Sequence, residues 1–260
     1  MAHERKILLT FDVEEFDLPL EYNIPVSLEE QLSIGYNGLQ ELSPILNSNG
    51  VASTLFTTAF FAENYPLTTK ELSEKHEIAS HTYSHTNFNE IDIFLSKSKL
   101  EEICNKAVYG IRMPRMKKID PSIISAAGYT YNSSINPTWI PGRYNNFNIP
   151  RHPFLEKMVL QFPVSVTPHI RIPLFWLAFK NLPYTVYLRM VLQTLRHDKY
   201  VCLYFHPWEF TDLSAYKLPA YIKRDHKELL GKLKKLVHAL SQEGEFVTMK
   251  DYITYTSMEK

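Results

Sequence analysis

Short apolar runs alternate along this chain with longer stretches that are apolar on one side only. Residues 6–11, KILLTF, make the first run, fit for a strand buried on both faces. Residues 51–57 (VASTLFT), 77–80 (EIAS), 107–111 (AVYGI), 129–131 (YTY), 159–164, 199–205 (KYVCLYF) and 245–248 are the later strands that this pattern predicts. Between them the apolar spacing turns helical. Ser27 is an N-cap candidate with Glu29 and Glu30 in the first turn, so a helix is expected over 27–47, stopped by Asn49-Gly50. Short helices are expected over 59–64 and 68–75, and further ones over 91–104 and 121–127, the last opened by Asp120-Pro121 and closed by Gly128. Others are expected over 174–195, interrupted at Pro183, over 218–240 with its leucine stripe, and over 249–256.

Strand and helix in steady alternation argue for parallel strands covered by helices, in a closed barrel or an open sheet. Residues 135–171 resist the pattern. They are rich in Pro, Asn, Arg and aromatics and read as an irregular, substrate-facing insertion. No repeat and no linker divides the chain, so residues 1–260 read as one domain.

The polar clusters follow the strands. Asp12-Val13-Glu14-Glu15 ends the first one. Alternation places Asp12 and Glu14 on one side and turns Val13 away. His81 and His85 follow the third strand, four residues apart; on a helical segment both imidazoles would share a face and could reach one ion. Arg112-Met113-Pro114-Arg115, Asn132 and His206-Pro207-Trp208-Glu209 each follow a strand as well. In barrels of parallel strands the site is built from loops at the strands' C-terminal ends, so these scattered groups could converge.

Composition narrows the field. Lys and Arg balance Asp and Glu for a formal charge of zero, which gives no support to nucleic acid or an anionic membrane as partner. The aromatics, Tyr 16, Phe 15 and Trp 3, suit both a core and a sugar-binding cleft. Cys104 and Cys202, far apart and without a CxxC, read as reduced core residues, a disulfide between them being left open. No secretory signal is evident and the longest apolar stretch is too short to span a bilayer, so the expectation is a soluble, cytoplasmic protein, its oligomeric state left open.

Taken in order, TFDVEEF, HEIASHTYSH, YGIRMPR, GYTYNSSINP and LYFHPWEF resemble the polysaccharide deacetylases, carbohydrate esterase family four, over essentially the whole chain. The resemblance implies an α/β fold, a distorted (β/α) barrel with parallel strands covered by helices. It implies metal-dependent removal of acetyl groups from sugars, with one divalent ion held by a carboxylate and two histidines. Asp12 matches the family's general base, and His81 and His85 match its histidine ligands. The family's usual second aspartate is replaced here by Val13; a subgroup that spaces its acidic residues by one makes Glu14 the third ligand. Arg112 would orient Asp12, the backbone N–H of Arg115 would face the oxyanion, and His206 would be the general acid. Pro114, Asn132, Trp208 and Glu209 are expected around the substrate. Asn132 stands where an aspartate that orients the histidine is usual, and Glu209 is a candidate to compensate.

The chemistry of such a set is coherent. Two imidazoles and one carboxylate leave positions on the ion free for water and a carbonyl oxygen. Zinc suits the mixed ligands, and cobalt, nickel or iron could fill the same cage. Three functions compete: a deacetylase of an N-acetylated (or O-acetylated) glycan or glycan precursor, an allantoinase-like hydrolase of a small cyclic amide, and a catalytically silent carbohydrate-binding protein. A cleft closed by residues 135–171 would favour the small substrate, and an open groove the polymer.

Overall fold

The computed structural model describes residues 4–258. In chain order its elements are β1 (Lys6–Val13), α1 (Leu28–Leu46), β2 (Ser53–Thr57), α2 (Ala59–Asn64), α3 (Pro66–Ser73), β3 (Glu77–Ser80), α4 (Glu90–Cys104), β4 (Gly110–Ile111), α5 (Pro121–Ala126) and β5 (Tyr131–Asn132). There follow β6 (Trp139–Ile140), β7 (Tyr144–Asn145), β8 (Phe154–Glu156), β9 (Val159–Gln161), α6 (Trp176–Asn181), α7 (Tyr184–Asp198), β10 (Tyr200–Phe205), α8 (His226–Ser241), β11 (Glu245–Phe246) and α9 (Met249–Met258). The main sheet runs β10-β1-β2-β3-β4-β5-β9-β8, parallel except where β8 turns back on β9. One edge of β1 pairs with β10. The other is shared, by β11 at Lys6 and Ile7 and by β2 from Leu9 onward. The sheet curls until its ends meet, where the Ser165 N–H donates to the Cys202 carbonyl at 3.0 Å. This is the distorted barrel of the deacetylase type.

Alternation along the buried strands divides the apolar residues into two cores. Ile7, Leu9, Phe11 and Val13 of β1, with Val201, Leu203 and Phe205 of β10, pack outward against the helices. Leu8, Phe56, Ala79, Tyr131, Cys202 and Tyr204 fill the barrel. Thr10 and Asp12 share the inward register of Leu8, so a side chain two positions on emerges at the C-terminal mouth. Both cysteines are free and buried.

α1 begins on Ser27, whose Oγ accepts from the Glu30 N–H at 3.2 Å. It carries two interior glycines, each intrinsically unfavourable in a helix by about 1 kcal/mol. Their value is close approach. A Cβ on Gly35 would stand 2.4 Å from the Glu14 carbonyl oxygen, and one on Gly38 2.0 Å from that of Pro207. The helix thus presses directly on the two loops that carry Glu14 and His206.

The structure departs from the sequence expectation in several places. The stretch 135–171 is not uniformly irregular. It holds the antiparallel pair β6–β7 and the antiparallel pair β8–β9. Strands expected at 107–111 and 129–131 shrink to two residues each at β4 and β5. The helix expected from 218 starts at His226, because Asp225 caps it through the Glu228 N–H and Pro219 heads a turn instead. Among the described residues no helix is long and apolar enough to cross a membrane.

Candidate active site

Strand β1 carries Asp12 and Glu14 to the mouth of the barrel, and the turn after β3 brings His81 and His85 beside them. Glu14 Oε2 lies 3.0 Å from His81 Nε2 and 3.2 Å from His85 Nε2. One ligand atom from each residue falls within 4.8 Å of the others, and all three residues are buried. The pair is not helical, as its spacing allowed. Thr82 takes a left-handed backbone (φ 65°), and its N–H is held by Ser80 Oγ and its hydroxyl by the Ser84 carbonyl. The two rings stack, with centroids 5.4 Å apart. A tight turn therefore does what one helical turn would have done.

A polar contact on the far side of each ring, a hydrogen bond for His81 and a close carboxylate for His85, leaves its ligating nitrogen free. His81 Nδ1 donates to the Arg112 carbonyl at 2.7 Å, and His85 Nδ1 lies 2.8 Å from Asp17 Oδ1. In the neutral ring each assignment leaves Nε2 with its lone pair toward Glu14, the form in which it could hold an ion. Glu14 Oε1 accepts from the Trp208 indole N–H at 3.0 Å. Among the described residues, Glu14 Oε2 and His81 Nε2 are buried without a hydrogen-bond partner. Burial works against the Glu14 carboxylate, but the fields of His85, His206 and His81 prevail and hold it far below the usual carboxylate range. Burial likewise works against the His85 cation, but Glu14 and Asp17 push its pKa up to about 9. Two imidazole nitrogens and a carboxylate oxygen, buried, convergent and lacking neutral partners, fit one divalent ion.

The remaining groups stand round that cluster. Arg112 is fully buried; its guanidinium donates to Asp12 Oδ1 at 2.6 Å, Thr10 Oγ1 at 3.0 Å and Ser133 Oγ at 3.0 Å, and lies over the Phe56 ring. The other Asp12 oxygen faces His206 Nε2 at 3.8 Å. His206 Nδ1 is 3.0 Å from Glu209 Oε1, which also accepts the His206 backbone N–H at 2.7 Å. Burial lowers the proton affinity of His206, yet Glu14, Glu209 and Asp12 together raise it above the ordinary histidine value. The ring stacks on Trp208 at 4.8 Å.

A cavity of about 200 Å³ opens over these groups. Asp12, Glu14, His81, His85, Arg115, His206 and Trp208 lie on its wall. Ile140, Arg143 and Tyr144 of the β6–β7 hairpin line it as well, with Trp176 and Tyr221. Pro114 and Asn132, expected around the substrate, are not among the residues that line this cavity. Asn132 is buried and donates to Gln161 Oε1 at 2.8 Å while accepting from Ser134, whose hydroxyl in turn holds the Met113 N–H at 2.8 Å. It braces the Arg112–Arg115 loop from behind. Glu209 also lies off the wall, against His206. The Arg115 side chain is tied to Glu21 at 2.6 Å, Asp17 at 2.8 Å and the His85 carbonyl at 3.1 Å, on a left-handed backbone (φ 54°). Sequence reasoning missed Asp17, three residues after Glu14 in the same acidic run, whose carboxylate serves His85 and Arg115 together.

A model of the polysaccharide deacetylases matches residues 2–132, and one of a domain of unknown function, DUF3473, matches residues 133–254. No curated protein is matched. Among solved structures, a Mycobacterium smegmatis protein assigned to the polysaccharide deacetylases superposes with a TM-score of 0.65 at 16% identity, over 100% of this chain and 92% of that one. Puue allantoinase superposes with a TM-score of 0.61 at 12% identity, over 96% of this chain and 89% of that one. A mutant of the CE4-family pseudoenzyme BA3943, with restored enzymatic activity, gives 0.50 at 13% identity, over 95% of this chain and 66% of that one. At such identities the superpositions establish the barrel and nothing finer. The first model reaches from the start of the chain through β5, half of its length, and on that ground the chain belongs to the polysaccharide deacetylase family.

Proposed function

We propose that this chain is a metal-dependent hydrolase that removes the acetyl group from an N-acetylated sugar or glycan precursor. The observation that carries the reading is the approach of Glu14 Oε2 to both His81 Nε2 and His85 Nε2 in a buried cluster at the mouth of the barrel. Glu14, His81 and His85 would hold one divalent ion, zinc being the best match to the donor set. When bound, such an ion polarises the acetyl carbonyl and acidifies water. Asp12, oriented by Arg112, accepts the proton of the attacking water through the oxygen that faces the cavity. The Arg115 backbone N–H is assigned to the developing oxyanion, where one donor typically contributes about 3 kcal/mol. His206, held by Glu209 and raised in proton affinity by its carboxylate neighbours, protonates the departing nitrogen. The same groups serve an O-acetyl ester, whose leaving alkoxide needs that proton less.

A second reading, hydrolysis of a small cyclic amide, is favoured by one observation. The cavity, about 200 Å³ and lined in part by Ile140 and Tyr144, is small beside the roughly 300–1,000 Å³ of pockets for drug-sized ligands. It suits one ring better than a polymer lying across an open groove.

The test is acetate or ring-opened product released from acetylated sugars, acetylated glycans and cyclic amides, by protein freed of metal and then reloaded with zinc. Acetate release that disappears on stripping and returns with zinc supports the first reading. Turnover of cyclic amides alone transfers the function to the second. Absence of metal binding with absence of turnover leaves a binding protein.

A further inference from the structure

Lys180, on α6, is a fully buried cation outside the constellation described above. Its Nζ stands 3.4 Å from Glu209 Oε2, donates to the Ile222 carbonyl at 3.0 Å, and lies over the rings of Trp176 and Trp208 at 5.0 and 5.1 Å. Burial lowers the proton affinity of this amine and Glu209 raises it, burial being the stronger. An ammonium in such a place is destabilising unless it is paired. Glu209 needs a partner equally. Its Oε2 has no hydrogen bond among the described residues, while Oε1 carries both the His206 backbone N–H and, at 3.0 Å, the ring Nδ1. The amine, the carboxylate and the imidazole form one line leading into the cleft.

We propose that Lys180 is a positioning residue for the reaction: by clamping the outer oxygen of Glu209, it keeps the inner oxygen on His206 and so holds Nε2 aimed at the leaving group. The assignment rests on the reading of His206 as the proton donor. Without the ammonium, Glu209 is a buried carboxylate with one half unpaired. It relieves that cost by rotating or by taking a proton, and either change releases the ring. A lysine that merely filled space between two indoles would have no such connection to the proton transfer.

The leaving group separates the two roles. An amide nitrogen must be protonated to depart, whereas 4-nitrophenolate departs without a proton. Lys180→Met in the zinc-loaded protein is therefore expected to lose roughly 10- to 100-fold in kcat on an N-acetylated sugar, the usual cost of removing an orienting outer partner. KM should hold, and the loss on 4-nitrophenyl acetate should be much smaller. Equal losses on both substrates, or no loss on the amide, overturn the proposal. If the Met variant does not fold, Glu209→Gln is compared with the K180M/E209Q double variant, in which neither charge is left unpaired. Because Lys180 acts only through Glu209, the two should share one amide kcat, and a further loss in the double variant overturns the proposal. Wild-type protein that hydrolyses neither substrate defeats the deacetylase reading instead. The clamp is then decided by the NMR signal of the His206 Nδ1 proton, which should shift or vanish in Lys180→Met; an unmoved signal overturns it.

Discussion

The indole N–H of Trp208 donates to Oε1 of Glu14 at 3.0 Å, across 194 positions of sequence, while the other oxygen of that carboxylate faces the two histidines. A tryptophan from the last motif thus aims the candidate ligand of the first. Trp208→Phe keeps the ring packing and removes the donor. It is expected to weaken zinc binding about 10- to 100-fold, measured by competition against a chromophoric chelator.

Asp12 and Glu14 are two residues apart and face one cavity, yet the proposed chemistry separates them. Asp12→Asn should retain zinc and lose roughly a hundred- to ten-thousand-fold in kcat. Glu14→Ala should lose zinc. Metal analysis of the two purified variants checks both; loss of zinc in Asp12→Asn, or its retention in Glu14→Ala, would exchange their roles.

Arg112 is both a partner of Asp12 and a core side chain, lying over Phe56 and bonded to Thr10 and Ser133. Arg112→Met leaves Asp12 buried and without its cation. The expected cost is about 3–5 kcal/mol of stability, read by urea denaturation at neutral pH.

His76 reports on the other end of the barrel. Both ring nitrogens are buried and have no hydrogen-bond partner among the described residues, and burial, aided by Lys75, pulls its pKa down to about 4. An unfolded chain takes up this proton below about 6.5, whereas the folded ring refuses it until about 4. The folded state therefore loses stability across that interval as pH falls, by up to about 3 kcal/mol from this group. His76→Phe should flatten that part of the profile, as denaturation midpoints at pH 7, 6, 5 and 4 would register.

Gly38 tests the contact between α1 and the loop bearing His206. A Cβ there meets the Pro207 carbonyl at 2.0 Å and the Trp208 amide nitrogen at 2.9 Å, both backbone atoms. Gly38→Ala should cost about 1–3 kcal/mol despite alanine's better helix propensity, and should lower activity by moving His206. Thermal melts and kcat together check it.

Much of this arrangement was legible in the residues. Alternation in KILLTFDVE was enough to set Val13 apart from Asp12 and Glu14, because a buried strand has no freedom in which face a side chain takes. Strands and helices taking turns left a closed barrel and an open sheet equally possible, and the resemblance of the motifs chose the barrel. What escaped was whatever depends on tertiary closure. Asp17 looked like one more acid in a loop, since its partners, His85 and Arg115, come from two other loops. Asn132 was placed near the substrate because it ends a strand, but its bonds to Gln161 and Ser134, which hold it off the cavity wall, come from segments that sequence does not pair with it. The hairpin at 139–145 was hidden by its composition, which has turn formers and little alternation. The role of Lys180 could not be read at all, since a lysine in a helix is ordinarily solvated.

The order of the sheet has a bearing on how the protein comes to exist. β1 has β2 on one side and β10 on the other, so this strand, synthesised well before one of its partners, waits for a strand that ends at residue 205. Glu14, His81 and His85 leave the ribosome early, but the Trp208 that aims Glu14 leaves late. An emerging chain would carry the three candidate metal ligands well before the wall that gives them a single geometry. Long-range pairings of this kind are slow to form, and metal supplied after release meets a finished cage, whereas metal supplied during synthesis meets loose ligands.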